Sequence, residues 1–175
     1  MKNILVVGPQ TTLGQGLVDA YAKEASKIAL VSWNSKDNST PPSNRVDKNL
    51  KKKIKEGGTV LECFRGDLSQ KSEWNRIMQA VQKFFDGKLH LLLYFDGVFY
   101  AAPFLDSDLK EGQRLMKYNF TSPLLAISTA LPLLKKSKGQ IAFMASVAVG
   151  RGSPGTTLYT ASKRALGCYL KTISK

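Results

Sequence analysis

Short apolar runs alternate along this chain with segments in which apolar residues recur every three or four positions. The runs predict strands at residues 4–7, 28–31, 60–64, 89–95 and 141–145. The clearest predicted helix covers residues 69–85, and its apolar stripe consists of Trp74, Ile77, Met78, Val81 and Phe84. Such alternation is typical of a parallel sheet covered by helices.

Right-handed crossovers between the five predicted strands give the strand order 3-2-1-4-5. The predicted fold class is therefore α/β, a doubly wound parallel sheet with helices on both faces. In this order the run 141–145 forms an edge strand, although it is very apolar for an exposed edge. We expect it to be covered by a missing segment, by another subunit or by the last helix.

A length of 175 residues with 43% hydrophobic residues predicts one domain, residues 1–175. Residues 35–44 are rich in Ser, Asn and Pro and are interpreted as a surface loop. No apolar run is long enough for a membrane helix or a signal peptide. Cys63 and Cys168 have neither metal-ligand nor disulfide spacing, so we expect no metal site and two buried thiols in a cytoplasmic protein.

The net charge of +13 comes partly from lysine clusters at 48–55 and 135–138. Runs of this kind usually form solvated faces, although a basic surface also attracts polyanions and phosphorylated cofactors. No nucleic-acid-binding motif accompanies the charge, so nucleic-acid binding is a distant third among the functions considered.

The first strand runs into the seven-residue loop Gly8-Pro9-Gln10-Thr11-Thr12-Leu13-Gly14, which a helical pattern follows. A dinucleotide's pyrophosphate requires such a turn, with amides at a helix N-terminus and no side chain in the way. The residues predicted to contact a cofactor here are Gly8, Thr11, Thr12, Leu13 and Gly14. Glycine-rich turns also serve plain packing, so the loop alone does not decide the function.

Tyr159 and Lys163 are four residues apart and project from one face of a helix. A free tyrosine has a pKa of about 10, and a cation held beside its hydroxyl favours the phenolate. Ser146 follows the last predicted strand and could direct a hydroxyl into the same cleft. Upstream, Pro123 has no amide hydrogen, so the Asn119 carbonyl lacks its helical partner.

These elements resemble the short-chain dehydrogenase/reductase family over essentially the whole chain, most strongly in its C-terminal third. The family's Thr-Gly-x-x-x-Gly-x-Gly loop falls on Val7, Gly8, Thr12 and Gly14, with Val7 and Thr12 departing from it. The remaining matches are an Asp after strand three, the catalytic Asn and Ser, and the Tyr-x-x-x-Lys pair, at Asp67, Asn119, Ser146, Tyr159 and Lys163.

The resemblance implies a Rossmann-like fold and an NAD(P)-dependent oxidoreductase acting on a carbonyl or alcohol. Tyr159 would be the general acid/base, and Lys163 would assist it and hold the nicotinamide ribose. Ser146 would hydrogen-bond the substrate oxygen, and the Asn119 carbonyl would hold a water molecule. Further cofactor contacts are implied at Trp33, Asn34, Asp67, Leu68 and Gly97.

The cofactor preference follows from the end of the second strand, where residues 32–36 contain no acid and include Lys36. This composition favours NADP over NAD, because an acid there usually binds the ribose hydroxyls of NAD. The segment 98–108 is expected to line the substrate pocket with Phe99, Tyr100 and Phe104. Core packing would explain these aromatic residues equally well.

The chain departs from the family at Thr12 and at Tyr94-Phe95-Asp96-Gly97, where the family has Asn-Asn-Ala-Gly. It also lacks the family's usual C-terminal strand and substrate-covering segment, as a C-terminally truncated member would. The alternative function is therefore an inactive scaffold or a cofactor-sensing dimerisation module. The resemblance implies a homodimer or homotetramer through the Asn119 and Tyr159 helices. The apolar residues that could form the interface are Leu124, Ile127, Leu131, Leu134, Leu166, Tyr169 and Leu170.

Overall fold

The computed structural model of the protein describes residues 2–33 and 58–173. Asn34, Lys36, the predicted loop 35–44 and the lysine cluster 48–55 lie outside these ranges. Within them, no helix has both the length and the apolar character needed to cross a membrane.

The described ranges fold as strands that alternate with helices. The elements are β1 (Lys2–Val7), α1 (Thr12–Tyr21), β2 (Ala25–Trp33), β3 (Val60–Gly66), α2 (Lys71–Phe84), β4 (Leu91–Tyr94), α3 (Leu109–Met116), α4 (Ser122–Ser137), β5 (Gln140–Phe143) and α5 (Thr157–Ile173). A π-helical turn, Lys117–Thr121, joins α3 to α4. Short 3₁₀ turns cover Phe104–Asp106 and Val147–Val149.

The sheet has five parallel strands in the order β3-β2-β1-β4-β5. The predicted fold class and strand order are thus confirmed. Val7, at the end of β1, pairs with Val31 on one side and with Tyr94 on the other. The segments that follow these strands therefore start at the same edge of the sheet, where open α/β sheets bind ligands.

Both faces of the sheet are buried, which is why the central strands are apolar without alternation. Leu5 and Val7 of β1 belong to a core that includes buried residues of α2 and α4. Ile4 and Val6 point to the opposite face and share a second core with Val18 of α1. Helices therefore cover the sheet from both sides.

Helix α2 follows the predicted stripe with one difference. Trp74, Ile77, Met78 and Val81 are buried as expected, whereas Phe85 just beyond the helix is fully buried and Phe84 only partly. The Trp74 indole Nε1–H donates to the Leu68 carbonyl at 2.8 Å, which satisfies its only polar atom. Just beyond the end of the helix, φ is positive at Asp86 and Gly87, +53° and +74°, which stops the helix there.

The edge strand β5 pairs with β4 and is only partly covered. Ile141 and Phe143 pack against the larger core, while Gln140 and Ala142 face a groove of about 780 Å³ on the other side of the sheet. Leu170 and Ile173 of α5 also line this groove. The last helix, one of the three expected covers for this strand, therefore approaches β5 but leaves the groove between them unfilled.

The two cysteines are both exposed, so the prediction of buried thiols is wrong. Cys63 lies on β3, the outer strand of the sheet, and Cys168 lies on the outward side of α5. An apolar side chain is buried only where a neighbouring element covers it, and the sequence does not reveal that cover.

Tyr94, which replaces the first Asn of the family's motif, joins the sheet to α4. Its hydroxyl hydrogen-bonds the Ser122 hydroxyl at 2.7 Å, and both residues are buried. Its ring stacks on Phe143 of β5 with centroids 5.0 Å apart. Burial raises the pKa of Tyr94 well above its usual value, and the nearby Asp96 charge adds to this, so the phenol stays protonated.

We predict that Tyr94→Phe and Ser122→Ala each lower the free energy of unfolding by about 1–3 kcal/mol. Each substitution removes one hydroxyl of the pair and leaves the other hydroxyl buried without this partner. The double variant should cost less than the sum, as expected for a direct contact. Urea denaturation of the four proteins measures this coupling. Ser128→Ala, an exposed serine of α4, serves as the control and should change stability by under about 0.5 kcal/mol. Stability losses of the two single variants that sum to the loss in the double variant would contradict the Tyr94–Ser122 hydrogen bond.

Candidate active site

The loop after β1 approaches the backbone after β4 so closely that only glycine fits at position 8. Gly8 has φ +82°, and a Cβ there would lie 2.7 Å from the Asp96 amide nitrogen. The Gly8 amide donates to the Val31 carbonyl at 3.1 Å, which fixes the loop to β2 as well. The first glycine of the loop therefore fixes where the loop meets Asp96.

Helix α1 begins at this loop with a side-chain cap. The Thr11 hydroxyl accepts from the Gly14 amide at 3.0 Å and donates to the Gly8 carbonyl at 3.0 Å. A Cβ on Gly14 would overlap the Gly8 carbonyl oxygen. Helix geometry directs the amides of Thr12 and Leu13 out of the N-terminus, and both residues are exposed. The loop therefore fits an anionic group such as a dinucleotide's pyrophosphate, and the Thr12 side chain is exposed at the same end.

Asn119 is fully buried and uses its whole side chain to join two elements. Its Oδ1 accepts from the Val98 amide at 2.9 Å, and its Nδ2 donates to the Val98 carbonyl at 2.9 Å. The second Nδ2 hydrogen goes to the Ser162 hydroxyl at 3.0 Å, and Ser162 donates to the Tyr159 carbonyl at 2.7 Å. Asn119 thus ties the segment after β4 to α5 at the turn that carries Tyr159.

The backbone around Asn119 differs from a simple proline kink. The Ser122 amide donates to the Lys117 carbonyl five residues back, which makes the segment Lys117–Thr121 a π-helical turn. Such turns are frequent at functional sites because they offset one residue from the regular helix. Asn119 lies within this turn, and its side chain makes the bonds to Val98 and Ser162.

Tyr159 and Lys163 lie on successive turns of α5, as predicted. The Lys163 Nζ is 5.9 Å from the centroid of the Tyr159 ring. Lys163 is only 5% exposed, and a Cβ on Gly97 would lie 3.3 Å from its Nζ. On the other side, the Phe99 ring meets Tyr159 edge-on with centroids 4.8 Å apart. The pair therefore lies against the segment that follows β4.

The charges of this region are buried. Burial lowers the pKa of Lys163, and the Asp96 carboxylate opposes that effect. Burial raises the pKa of Asp96, while hydrogen bonds from Gly97 and Gln10 and the Lys163 charge oppose it. The ammonium and the carboxylate therefore stabilise each other's charged forms.

Ser146 lies in the turn after β5, and its hydroxyl accepts from the Ala148 amide at 3.2 Å. No hydrogen bond in the described part of the chain joins it to Tyr159. The structure therefore joins Asn119 to Tyr159 through Ser162, places Lys163 beside them, and leaves Ser146 outside these contacts.

The cofactor contacts predicted after strands two and three differ in their surroundings. Asp67 accepts from the Ser69 amide and hydroxyl at 3.1 and 2.6 Å, and its Oδ1 is 3.8 Å from the Lys117 Nζ. Partial burial raises its pKa, but the Ser69 bonds and Lys117 outweigh this and lower it overall. Leu68 is fully buried, and Trp33 packs on Tyr118 with ring centroids 4.2 Å apart. Asn34 lies outside the described residues.

Sequence reasoning missed Ser162 and Gln10 as parts of this site. Ser162 stands between Tyr159 and Lys163 in sequence, and this position next to Lys163 was the available signal. The structure buries it fully, so its hydroxyl requires a partner. Gln10 donates to Asp96 Oδ2 at 3.3 Å from within the loop. Nothing in the local sequence relates residues 86 positions apart.

The strand order, the loop at the end of β1 and the helix positions define a Rossmann-like α/β protein. Within that class the chain belongs to the short chain dehydrogenase family, whose pattern matches residues 2–175.

Relatives of known sequence agree with this membership. An 11-beta-hydroxysteroid dehydrogenase-like 4A protein of Arabidopsis thaliana is 28% identical over 173 residues, covering 98% of this chain and 55% of the relative. A diacetyl reductase ((S)-acetoin forming) of Staphylococcus epidermidis is 26% identical, covering 99% of this chain and 65% of the relative. The chain thus spans between half and two thirds of the length of these relatives.

Solved structures support the fold. An alcohol dehydrogenase of Thermococcus sibiricus complexed with 5-hydroxy-NADP superposes with a TM-score of 0.87 at 19% identity, over 99% of this chain and 70% of that one. An NAD+-bound xylitol dehydrogenase gives a TM-score of 0.83 at 22% identity, over 98% and 63%. At these identities the likeness establishes the fold alone.

We predict opposite effects of alanine at two glycines of the first strand–helix unit. Gly8→Ala should lower the free energy of unfolding by more than about 1 kcal/mol, because its φ is positive and the new Cβ meets the Asp96 backbone. Gly16→Ala is the matched control on α1, where a Cβ meets nothing within 4 Å. It should raise stability by about 0.5–1 kcal/mol through helix propensity. Urea denaturation measures both, and equal effects would refute the close approach at Gly8.

Proposed function

We propose that this protein is an NAD(P)-dependent oxidoreductase that interconverts a carbonyl and an alcohol, with Tyr159 as general acid/base. The observation that carries this proposal is the buried Lys163 ammonium, 5.9 Å from the Tyr159 ring and packed beside Gly97. A buried cation next to a tyrosine has little structural purpose, because burying a charge is costly. It has a chemical purpose if the tyrosine must ionise.

A bound nicotinamide cofactor would supply or accept the hydride. In the reductive direction, the Tyr159 hydroxyl gives its proton to the substrate oxygen as the carbonyl carbon is reduced. Lys163 stabilises the phenolate left on Tyr159, and Ser146 donates a hydrogen bond to the same substrate oxygen. Asn119 holds α5 in place and, by resemblance, its carbonyl binds a water molecule on the proton route.

The cofactor contacts proposed are the loop residues Gly8, Thr11, Thr12, Leu13 and Gly14, together with Trp33, Asn34, Asp67, Leu68, Gly97, Tyr159 and Lys163. Support comes from the glycine-dependent geometry of the loop and the helix N-terminus at Thr12 and Leu13. We propose NADP as the preferred cofactor, with NAD as the alternative, and residues 1–175 as a single dinucleotide-binding unit.

The substrate is proposed to be a small molecule that presents a carbonyl or alcohol next to apolar surface. Phe99 is 64% exposed although its ring edge contacts Tyr159, and Val147, next to Ser146, is 82% exposed. Apolar side chains beside both Tyr159 and Ser146 favour an apolar substrate. The relatives described above are named for hydroxysteroid dehydrogenase-like and diacetyl reductase proteins, which supports this substrate class.

The alternative function is a non-catalytic scaffold or cofactor-sensing module. It is favoured by Thr12, which replaces a loop glycine, and by the buried carboxylate of Asp96 beside that loop. Nicotinamide binding without turnover would support this alternative.

The first experiment is a titration of NADPH and of NADH into the purified protein, followed by nicotinamide fluorescence. We expect micromolar binding, with NADPH the tighter ligand. Absence of binding for both cofactors would overturn the proposal, because the Tyr159 site would then have no source of hydride.

Tyr159→Phe should reduce turnover of a carbonyl panel by about 10²–10⁴-fold, the usual contribution of a general acid/base. Cofactor binding should be kept, because the ring and Lys163 remain. Tyr169→Phe on the same helix is the control, since Tyr169 contacts Phe120 and lies ten positions further along the chain. Equal turnover for wild type and Tyr159→Phe would remove Tyr159 from the chemistry.

We further propose a homo-oligomer, a dimer or tetramer, through α4 and α5. Ile127, Leu134 and Leu166 are buried within the chain itself, which leaves Leu131 (38% exposed) as the most open of the apolar residues predicted for an interface. Leu131→Glu should therefore shift the protein towards monomer in sedimentation experiments. Leu105→Glu, at a position 94% exposed outside these helices, is the control. A monomeric wild-type protein would contradict the interface.

A further inference from the structure

Asp96 and Lys163 place two opposite charges on either side of one glycine. Asp96 is 8% exposed and Lys163 5%. The Gly97 amide donates to Asp96 Oδ1 at 2.8 Å, and a Cβ on Gly97 would lie 3.3 Å from the Lys163 Nζ. Both charged ends therefore contact the same residue, away from water.

Neither charge is favourable in this place alone. A buried ion without a partner loses its hydration and tends to neutralise instead. Burial moves the pKa of Asp96 upward and that of Lys163 downward, and each charge resists the shift of the other. The Asp96 carboxylate therefore favours the ammonium form of Lys163.

Asp96 also contacts the loop after β1. Its Oδ2 accepts from the Gln10 Nε2 at 3.3 Å, and Gly8 packs directly on its backbone. The other titratable group that faces it is Tyr94 on β4, which is protonated in the usual range. Gln10 and the Gly97 amide are neutral. Within residues 2–33 and 58–173, Lys163 is therefore the cation that acts on Asp96.

We propose that Asp96 is a positioning residue that keeps Lys163 as a buried ammonium ion beside Tyr159 and links it to the cofactor loop. The proposal rests on the proposed function, since it assigns a purpose to the Lys163 charge. Where the family has Ala, this chain supplies a carboxylate, so this support for Lys163 is a property of this chain's own sequence.

The test is the titration of Lys163 in the protein without any cofactor. The ¹³Cε resonance of Lys163, assigned through Lys163→Arg, is followed by NMR from neutral to alkaline pH. We expect Asp96→Asn to lower the titration midpoint of Lys163 by about one pH unit or more, because the opposing carboxylate charge is gone. Asp96→Ala, the smaller side chain of the family, should do the same and covers the case in which the Asn variant folds poorly.

Asp86→Asn is the control, because Asp86 pairs with Lys27 elsewhere in the fold and should leave the Lys163 midpoint unchanged. An unchanged or raised midpoint in both Asp96 variants would overturn the proposal. The readout needs neither cofactor nor turnover, so it separates this proposal from the proposed function. If turnover is found, the alkaline limb of its pH profile should move to lower pH in Asp96→Asn, and an unmoved limb would count against the assignment.

Discussion

The buried side chain of Asn119 is the contact on which the arrangement of the candidate site depends. Its oxygen and both of its amide hydrogens are used, two bonds going to Val98 and one to Ser162. The two groups belong to different elements, the segment after β4 and helix α5. A buried amide left unpaired costs about 1–3 kcal/mol, so each of the three bonds matters to stability. One side chain thus joins the segment after β4 to helix α5.

The fold was largely predictable because parallel strands buried on both faces appear as uninterrupted apolar runs. The predicted bounds of the strands were less accurate, and the fourth strand shows why. The fourth run was predicted from residue 89, yet β4 begins at Leu91, while Leu89 is fully buried ahead of it. Apolar character therefore marks burial, and hydrogen bonding within a strand is a separate property that the run does not mark.

The site was predictable only in its residue types. Tyr159, Lys163 and Asn119 were found through their spacing and resemblance, and the structure connects them. The contact made by Asn119 was not foreseen, because the reasoning concerned its carbonyl and the side chain makes the bonds. Asp96 and Lys163, which both lie beside Gly97, are far apart in sequence. The exposure of Cys63 and Cys168 likewise depends on cover at the sheet edge and on α5, which no local pattern encodes.

The π-helical turn Lys117–Thr121 has a consequence for how the chain tolerates changes of length. A π turn accommodates one residue more than a regular helical turn, and the helices on either side keep the orientation they would have without it. Deleting one residue here would restore a continuous helix while α3 and α4 kept their present faces. The turn carries both Tyr118, which belongs to the larger core, and Asn119, whose bonds reach Val98 and Ser162. One extra residue in the helix therefore serves the core and the candidate site together.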